Sequence, residues 1–403
     1  MIHRVEIENF YSIRDRQTLD LRVPANAPRG SDHLASCWRG SAERAPKVVA
    51  VFGANGSGKS NLVRALSFAA WFVASSFARS PGWRLPYEPF NDEISSDRRT
   101  RLKFWLSGPE SLGSSDQDGS GECPYCYELA IGNGESREVI EEAVFFWPSD
   151  TGRRTRLIER SEDGSVKASR LFGLTGYKGA LDKVLRPNAS VISTLAQLNH
   201  PIATAIAVWA QGTRSNTLIE RVELEDEDVL RLYADEPELV ARFNREIGRI
   251  DVGVRALEIR QGREGPEVWF QHEELAVPMP HFLESHGTRQ FLKLFPLLEH
   301  SLATGAVAII DELDAAIHSM ILPEIIGWFH DPARNPFNAQ LWMTCHNVSL
   351  LDDLSKDEIV FCEKDRRGRT HTYCLNDVKG VRRDDNYYRK YLGSVFGAVP
   401  RIG

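Results

Sequence analysis

Residues 47–60 read KVVAVFGANGSGKS. After Lys47 the first part is apolar and rich in β-branched side chains, which predicts a strand buried on both faces. It runs directly into a turn, residues 53–60, that fits G-x-x-x-x-G-K-[ST] at every fixed position. Gly53, Gly56 and Gly58 let the backbone wrap a phosphate without side-chain collision, with Ala54, Asn55 and Ser57 between them. A helix expected over 61–77, opening at Asn61, points free N–H groups and the positive end of its dipole at that phosphate. Lys59 supplies charge toward the β- and γ-phosphates, and Ser60 offers a hydroxyl to Mg²⁺. Strand before and helix after make this a nucleotide cradle rather than a chance glycine turn.

Downstream, residues 307–312 read VAIIDE. An apolar strand there delivers Asp311 to its C-terminal edge, where open α/β sheets place ligand chemistry. Asp311 is placed to hold Mg²⁺ through water, and Glu312, one residue on, to polarise an attacking water. Such a run is weak by itself, because strand ends are often acidic, but it gains weight beside residues 53–60. Small GTPases do not use a glutamate at this place.

Residues 285–288 read SHGT, 26 residues before Asp311, and open a helix expected over 288–302. Ser285, Gly287 and Thr288 at a helix start form a second anion-seeking end. In a chain that already has one phosphate helix, a second is explained if it caps nucleotide held by another subunit. The competing reading is a plain N-cap. Residues 344–347 read TCHN and follow a strand expected over 340–344. His346, just past that strand, is in place to reach a γ-phosphate. His318, one helical turn beyond Asp314, reads as an interface or capping residue.

The surroundings fit an α/β protein. Val5 and Ile7, then Leu19, Leu21 and Val23, alternate as two short strands joined near Asp15. Alternation over 102–106 and 125–129, with a further strand at 144–147, indicates an antiparallel sheet. The Gly/Ser/Asp-rich residues 108–121 read as a mobile hairpin tip. From about 150 strand signals fade and helical spacing takes over, so residues 151–280 read as an inserted, mainly helical lobe, with strand-like alternation returning near 254–259 and 268–270. A strand is expected at 306–310 and a helix at about 315–329. Pro296 would kink the helix that contains it.

Composition narrows the class. The 403 residues, 42% apolar and 26% charged, can bury a full core. A net charge of −7 argues against free-standing, tight nucleic-acid binding, which needs Lys and Arg on phosphates. No apolar stretch of about 18 residues predicts a membrane span, and the residues at 66–77 read as a buried helix. The first residues lack the layout of a signal peptide, which points to the cytosol. Six scattered cysteines include one CxxC, Cys123 and Cys126, without a second ligand pair nearby. Reduced, buried thiols are the expectation.

The order GANGSGKSN, SHGT, VAIIDELD, TCHN resembles the ABC-type ATPase heads of SMC, RecF and OLD proteins. Ile7, Asn9, Phe10, Ser12 and Ile13 look like the first hairpin of those heads. The chain over about 1–150 and 280–403 is similar to the ABC-like AAA ATPases of bacterial anti-phage and abortive-infection operons, including Tyr391–Gly393 and Phe396–Pro400 in the tail. The SHGT start is looser than the serine-glycine-glycine signature of transporters, and no glutamine can be placed as the family's lid-coupling residue.

The resemblance implies a P-loop head with its N-terminal part at 1–150, the lobe at 151–280 and its C-terminal part at 281–403. It implies ATP and Mg²⁺ as ligands and a homodimer closed around ATP. It also implies a sensor or regulator of an effector (a nuclease or toxin) from the same operon, with a nucleic acid or phage protein as trigger and no membrane partner. The alternative is a RecF/SMC-like DNA-repair or DNA-clamping ATPase. The 57 residues after His346 are too few for the Toprim nuclease domain of OLD proteins.

Overall fold

The computed structural model describes residues 1–23, 32–111, 121–134, 137–217, 226–250, 253–262, 265–315, 317 and 321–399. Strands β1 (Ile2–Glu8) and β2 (Gln17–Asp20) form an antiparallel hairpin with Val5 opposite Leu19. A ribbon of β3 (Leu34–Ser36) and β4 (Arg44–Pro46) leads into β5 (Val48–Phe52), and the glycine-rich turn then opens α1 (Lys59–Ser75). Strands β6 (Thr100–Pro109), β7 (Glu122–Ile131), β8 (Val139–Phe146), β9 (Thr155–Arg160) and β10 (Val166–Ala168) follow as a meander. With the first hairpin they build a seven-stranded antiparallel sheet, ordered β10-β9-β8-β7-β6-β1-β2.

The chain then enters α2 (Lys178–Val184), α3 (Val191–Gln197), α4 (Pro201–Gly212) and the short β11 (Arg214–Ser215). Helices α5 (Asp226–Asp235) and α6 (Pro237–Ile250) precede a three-stranded sheet of β12 (Val254–Gln261), β13 (Pro266–His272) and β14 (Met279–Pro280). The remainder is α7 (His286–Thr304), β15 (Val307–Ile310), α8 (Leu322–His330), β16 (Gln340–Thr344), β17 (Ile359–Lys364), β18 (Thr370–Cys374) and α9 (Tyr387–Leu392). The central sheet runs β11-β15-β16-β5-β17-β18, parallel except for β18.

The unbroken apolar run of β5 has a direct cause. Val49 and Val51 face one core with α1, α3, α4 and the inner side of the antiparallel sheet. Val48, Ala50 and Phe52 face a second core with α6, α7 and α8. All five side chains are fully buried. Helix α1 is long and apolar enough to cross a membrane, but most of it is buried in the first core.

Several boundaries differ from the sequence reading. Residues 151–170 continue the sheet as β9 and β10 instead of opening a helical lobe. A bulge places Val144 opposite Ile158 and Phe145 opposite Arg156, so Leu157 is the extra residue. Leu157 and Ile158 are both fully buried, which hides the alternation that marks a strand. Beyond them, Val191, Ile192, Leu195 and Ile202 share the core of α1, so α3 and α4 are packed into the head.

Strand β8 starts at Val139, ahead of the expected 144, and α1 starts at Lys59 rather than Asn61. Helix α8 starts at Leu322, with Pro323 in its first turn, where 315 was expected. His318 and most of the presumed hairpin tip, residues 112–120, lie outside the described residues; the arms of that hairpin pair up to Pro109 and Glu122. Pro296 sits inside a continuous α7. The six cysteines are buried and free. Cys123 and Cys126, three apart on β7, project to opposite faces, and burial pushes each thiol up to about 12.

Candidate nucleotide site

The turn after β5 is held from below and open above. A Cβ on Gly53 would lie 2.2 Å from the Cys362 carbonyl oxygen, and one on Gly58 2.2 Å from Thr370 Oγ1. Both glycines are also left-handed, at φ 150° and 103°, so β17 and β18 press on the loop where only glycine fits. Thr370 Oγ1 donates to the Ser57 carbonyl at 2.8 Å and bonds Ser12 at 2.7 Å; Asn61 Nδ2 donates to Ser12 Oγ at 2.7 Å. Among the described residues Gly56 has nothing within 4 Å of its Cβ position, and Asn55 and Gly56 are exposed. That free side is where a phosphate chain can lie.

The start of α1 suits an anion. Its N-cap, Gly58, makes no side-chain capping bond, so the opening Lys59 and Ser60 amides lack the cap a Ser or Asp would give. By contrast α3 and α7 are capped by Ser190 and Ser285. Lys59 is buried, and its Nζ donates to the Gly53 carbonyl at 2.9 Å and the Ala54 carbonyl at 3.3 Å. Burial pulls the Lys59 ammonium below its usual range, while Cys362, Asp311, Asp314 and Glu312 act in the opposite direction. An uncapped helix start and a buried ammonium fit a polyphosphate, and Ser60 is half-buried in the first turn.

The acidic partners follow β15, and β16 brings Thr344 and His346 beside them. Thr344 Oγ1 donates to Asp311 Oδ1 at 2.6 Å and accepts the Glu312 amide at 2.7 Å. Asn216, just after β11, accepts the Asp311 amide at 2.7 Å and donates to its carbonyl at 3.0 Å. Glu312 is left-handed at φ 52° and its side chain is 55% exposed. His346 stands between groups, with Nδ1 3.4 Å from Lys59 Nζ and Nε2 3.7 Å from Glu312 Oε1. Asp314 Oδ2 accepts the amides of His346 at 2.7 Å and Asn347 at 2.5 Å, which fixes the histidine loop. Lys59, Asp311, Glu312 and His346 thus form one cluster.

The SHGT residues stand apart as the start of α7. Ser285 Oγ accepts the Thr288 amide at 3.1 Å and bonds Thr288 Oγ1 at 2.8 Å. Ser285 is therefore an N-cap in this chain. Ser285 and His286 are exposed, Gly287 is half-buried and Thr288 buried. Leu275, Val277, Phe282 and Leu283, just upstream, are exposed apolar residues.

Asn216, Thr344 and Asp314 were missed as functional residues by sequence reasoning. Thr344 and Asp314 sat inside the motifs already singled out, and their side chains could have been assigned as orienting groups. Asn216 has no local signal, because it reaches Asp311 from 95 residues away.

The family described as "AAA domain, putative AbiEii toxin, Type IV TA system" matches residues 48–107 and 179–352, more than half of the chain. Among solved structures, the SMC head domain from Thermotoga maritima is similar over 93% of this chain and 98% of that chain, at 13% identity and a TM-score of 0.40. No curated protein matches.

Proposed function

The chain belongs to this AAA-domain family of P-loop ATPases, and on that premise we propose that it is a Mg²⁺-dependent ATPase that works as a homodimer closed around two ATP molecules. The meeting of Lys59, Asp311, Glu312 and His346 at the open side of the glycine turn carries the reading. Lys59 and the uncapped start of α1 take the phosphates. Ser60 and Asp311 are the metal-side oxygens; bound Mg²⁺ would neutralise charge on the β- and γ-phosphates. Glu312 polarises the attacking water, and His346 contacts the γ-phosphate. The start of α7, with Ser285 and His286 exposed and Gly287 half-buried, serves the partner's nucleotide, and exposed Phe282 and Leu283 give that face apolar surface to bury.

In the cell the dimer is a sensor or regulator of a separate effector in anti-phage defence. The ATP cluster is the catalytic constellation its residues support, so toxic output requires a partner. Expression of the chain alone should leave cells viable, and expression with the neighbouring gene product should arrest them on phage challenge. Metal-dependent cleavage of DNA or RNA by the purified chain, abolished by a change outside the ATP cluster, would overturn the regulator reading. ATP turnover stimulated strongly by DNA alone would move the assignment to a DNA-clamping ATPase.

A further inference from the structure

A second polar cluster lies at the edge of the central sheet opposite the glycine turn. Glu358 immediately precedes β17, His330 ends α8, and His33 immediately precedes β3. His33 Nδ1 is 2.7 Å from Glu358 Oε2, and His330 Nε2 is 2.6 Å from Glu358 Oε1. The two imidazoles lie close together and tilted, with centroids 3.8 Å apart and planes 30° apart. One donor atom from each of the three residues lies within 4.8 Å of the others. The Glu358 side chain is fully buried, His330 is 13% exposed and His33 34%.

The supports of this cluster are built in. The Ser355 amide donates to Glu358 Oε2 at 2.7 Å. The amide of Lys47 donates to the His33 carbonyl at 2.9 Å, and its Nζ to the His330 carbonyl at 3.3 Å. The Ser355 hydroxyl is buried and has no hydrogen-bond partner among the described residues.

We propose that His33 Nδ1, His330 Nε2 and the Glu358 carboxylate bind one first-row divalent transition metal of the zinc type. Two imidazoles and one carboxylate prefer such an ion over Mg²⁺ or Ca²⁺, which take oxygen donors. Bond lengths of about 2.0–2.2 Å require the donor atoms to open slightly from their present spacing. Glu358 is the fixed point, and His33, on the exposed side, is the ligand with room to shift. Each ring then keeps its proton on its outer nitrogen, His33 Nε2 and His330 Nδ1. Water completes the coordination at the exposed side. The ion pins the β3–β4 ribbon, and through it the entry to β5, to α8 and β17. It is distinct from the metal expected with ATP.

The test uses the full chain, stripped with EDTA and titrated with Zn²⁺ in a calorimeter, then with Co²⁺ in a spectrophotometer. Wild type should take one Zn²⁺ per chain. Its Tm should rise by about 2–4 °C with zinc at a hundredfold excess over Kd. Co²⁺ should show visible d–d bands without a thiolate charge-transfer band. His33→Gln, at a half-buried position just before β3, should fold and lose at least about tenfold in zinc affinity, and His330→Gln should do the same. Lys59→Ala should bind zinc as wild type does. Failure of the stripped wild-type chain to bind zinc, a thiolate band with Co²⁺, or unchanged affinity in both histidine variants would overturn the site.

Discussion

The Thr344 hydroxyl donates to Asp311 Oδ1 at 2.6 Å. Because the same oxygen accepts the Glu312 amide at 2.7 Å, one side chain on β16 sets both acidic residues of the candidate site. Thr344→Val preserves shape and removes both bonds. A hydrogen bond to a charged group is worth about 1.5–3 kcal/mol, so ATP turnover should fall by about 10–100-fold. ATP binding measured without Mg²⁺ should change little, because Lys59 and the turn are untouched. Equal losses in turnover and in metal-free binding would show that Thr344 supports the turn itself.

Lys59→Ala removes the buried ammonium proposed to meet the phosphates and should abolish ATP binding in an equilibrium assay. Glu312→Gln should retain Mg²⁺–ATP and stop hydrolysis, since phosphate and metal contacts survive. Wild-type turnover by Glu312→Gln would show that another group activates the water.

Asp314 accepts the amides of His346 and Asn347. Asp314→Ala frees this loop and should lower kcat by about tenfold, while the KM for ATP moves less. His346→Ala should produce the same pattern, and the double variant should add little to either single change. Fully additive losses would separate the loop from the histidine.

Much of this cluster was legible in the sequence because its residues sit in short windows whose spacing is fixed by a strand and the turn after it. Residues 47–60 carry strand, turn and helix start in one reading, and Asp311 and His346 follow their strands directly. What stayed hidden depends on long-range geometry. Asn216 meets Asp311 across β11, a two-residue strand with no pattern to detect. The bulge at Leu157 broke the alternation of β9 and made a sheet strand look like the start of a lobe. The His33, His330 and Glu358 cluster joins three distant segments, so no local spacing marks it.

Glu142 gives a stability prediction with a definite sign. Its fully buried carboxylate accepts from Ser190 Oγ at 2.5 Å, the Val191 amide at 2.7 Å and Tyr127 Oη at 3.1 Å, joining β8 and β7 to α3. Burial raises its pKa, against the pull of Ser190, Val191, Arg160 and Tyr127. The folded state therefore holds this proton more tightly than the unfolded chain, so the contribution of Glu142 falls as pH rises from the unfolded value through the folded one. Glu142→Gln mimics the protonated group and should flatten that segment of a Tm-against-pH curve. An identical pH profile in the variant and wild type would show that Glu142 does not titrate differently on folding.

The dimer reading stands or falls on whether Ser285 acts on another chain's nucleotide. Within its own chain Ser285 caps α7 through Thr288, and it is exposed. Lys59→Ala should be inactive in its own pocket. Ser285→Arg introduces bulk and charge at the start of α7 and should block the pocket of its partner. Each homodimer should therefore be inactive. In a mixed dimer, one pocket pairs the intact Lys59 of the Ser285→Arg chain with the intact Ser285 of the Lys59→Ala chain. Mixing the two inactive proteins should restore part of the ATPase activity if one complete pocket suffices. The recovered rate should rise with the fraction of mixed dimer and approach about half that of wild type per mixed dimer, the share expected when one of two pockets works independently. ATP should also drive association of Glu312→Gln, expected to bind without turnover, because nucleotide held by both chains favours the closed dimer by its differential affinity. Full activity in Ser285→Arg alone would reduce Ser285 to a helix cap. An inactive mixture containing stable mixed dimers would rule out independent pockets completed in trans.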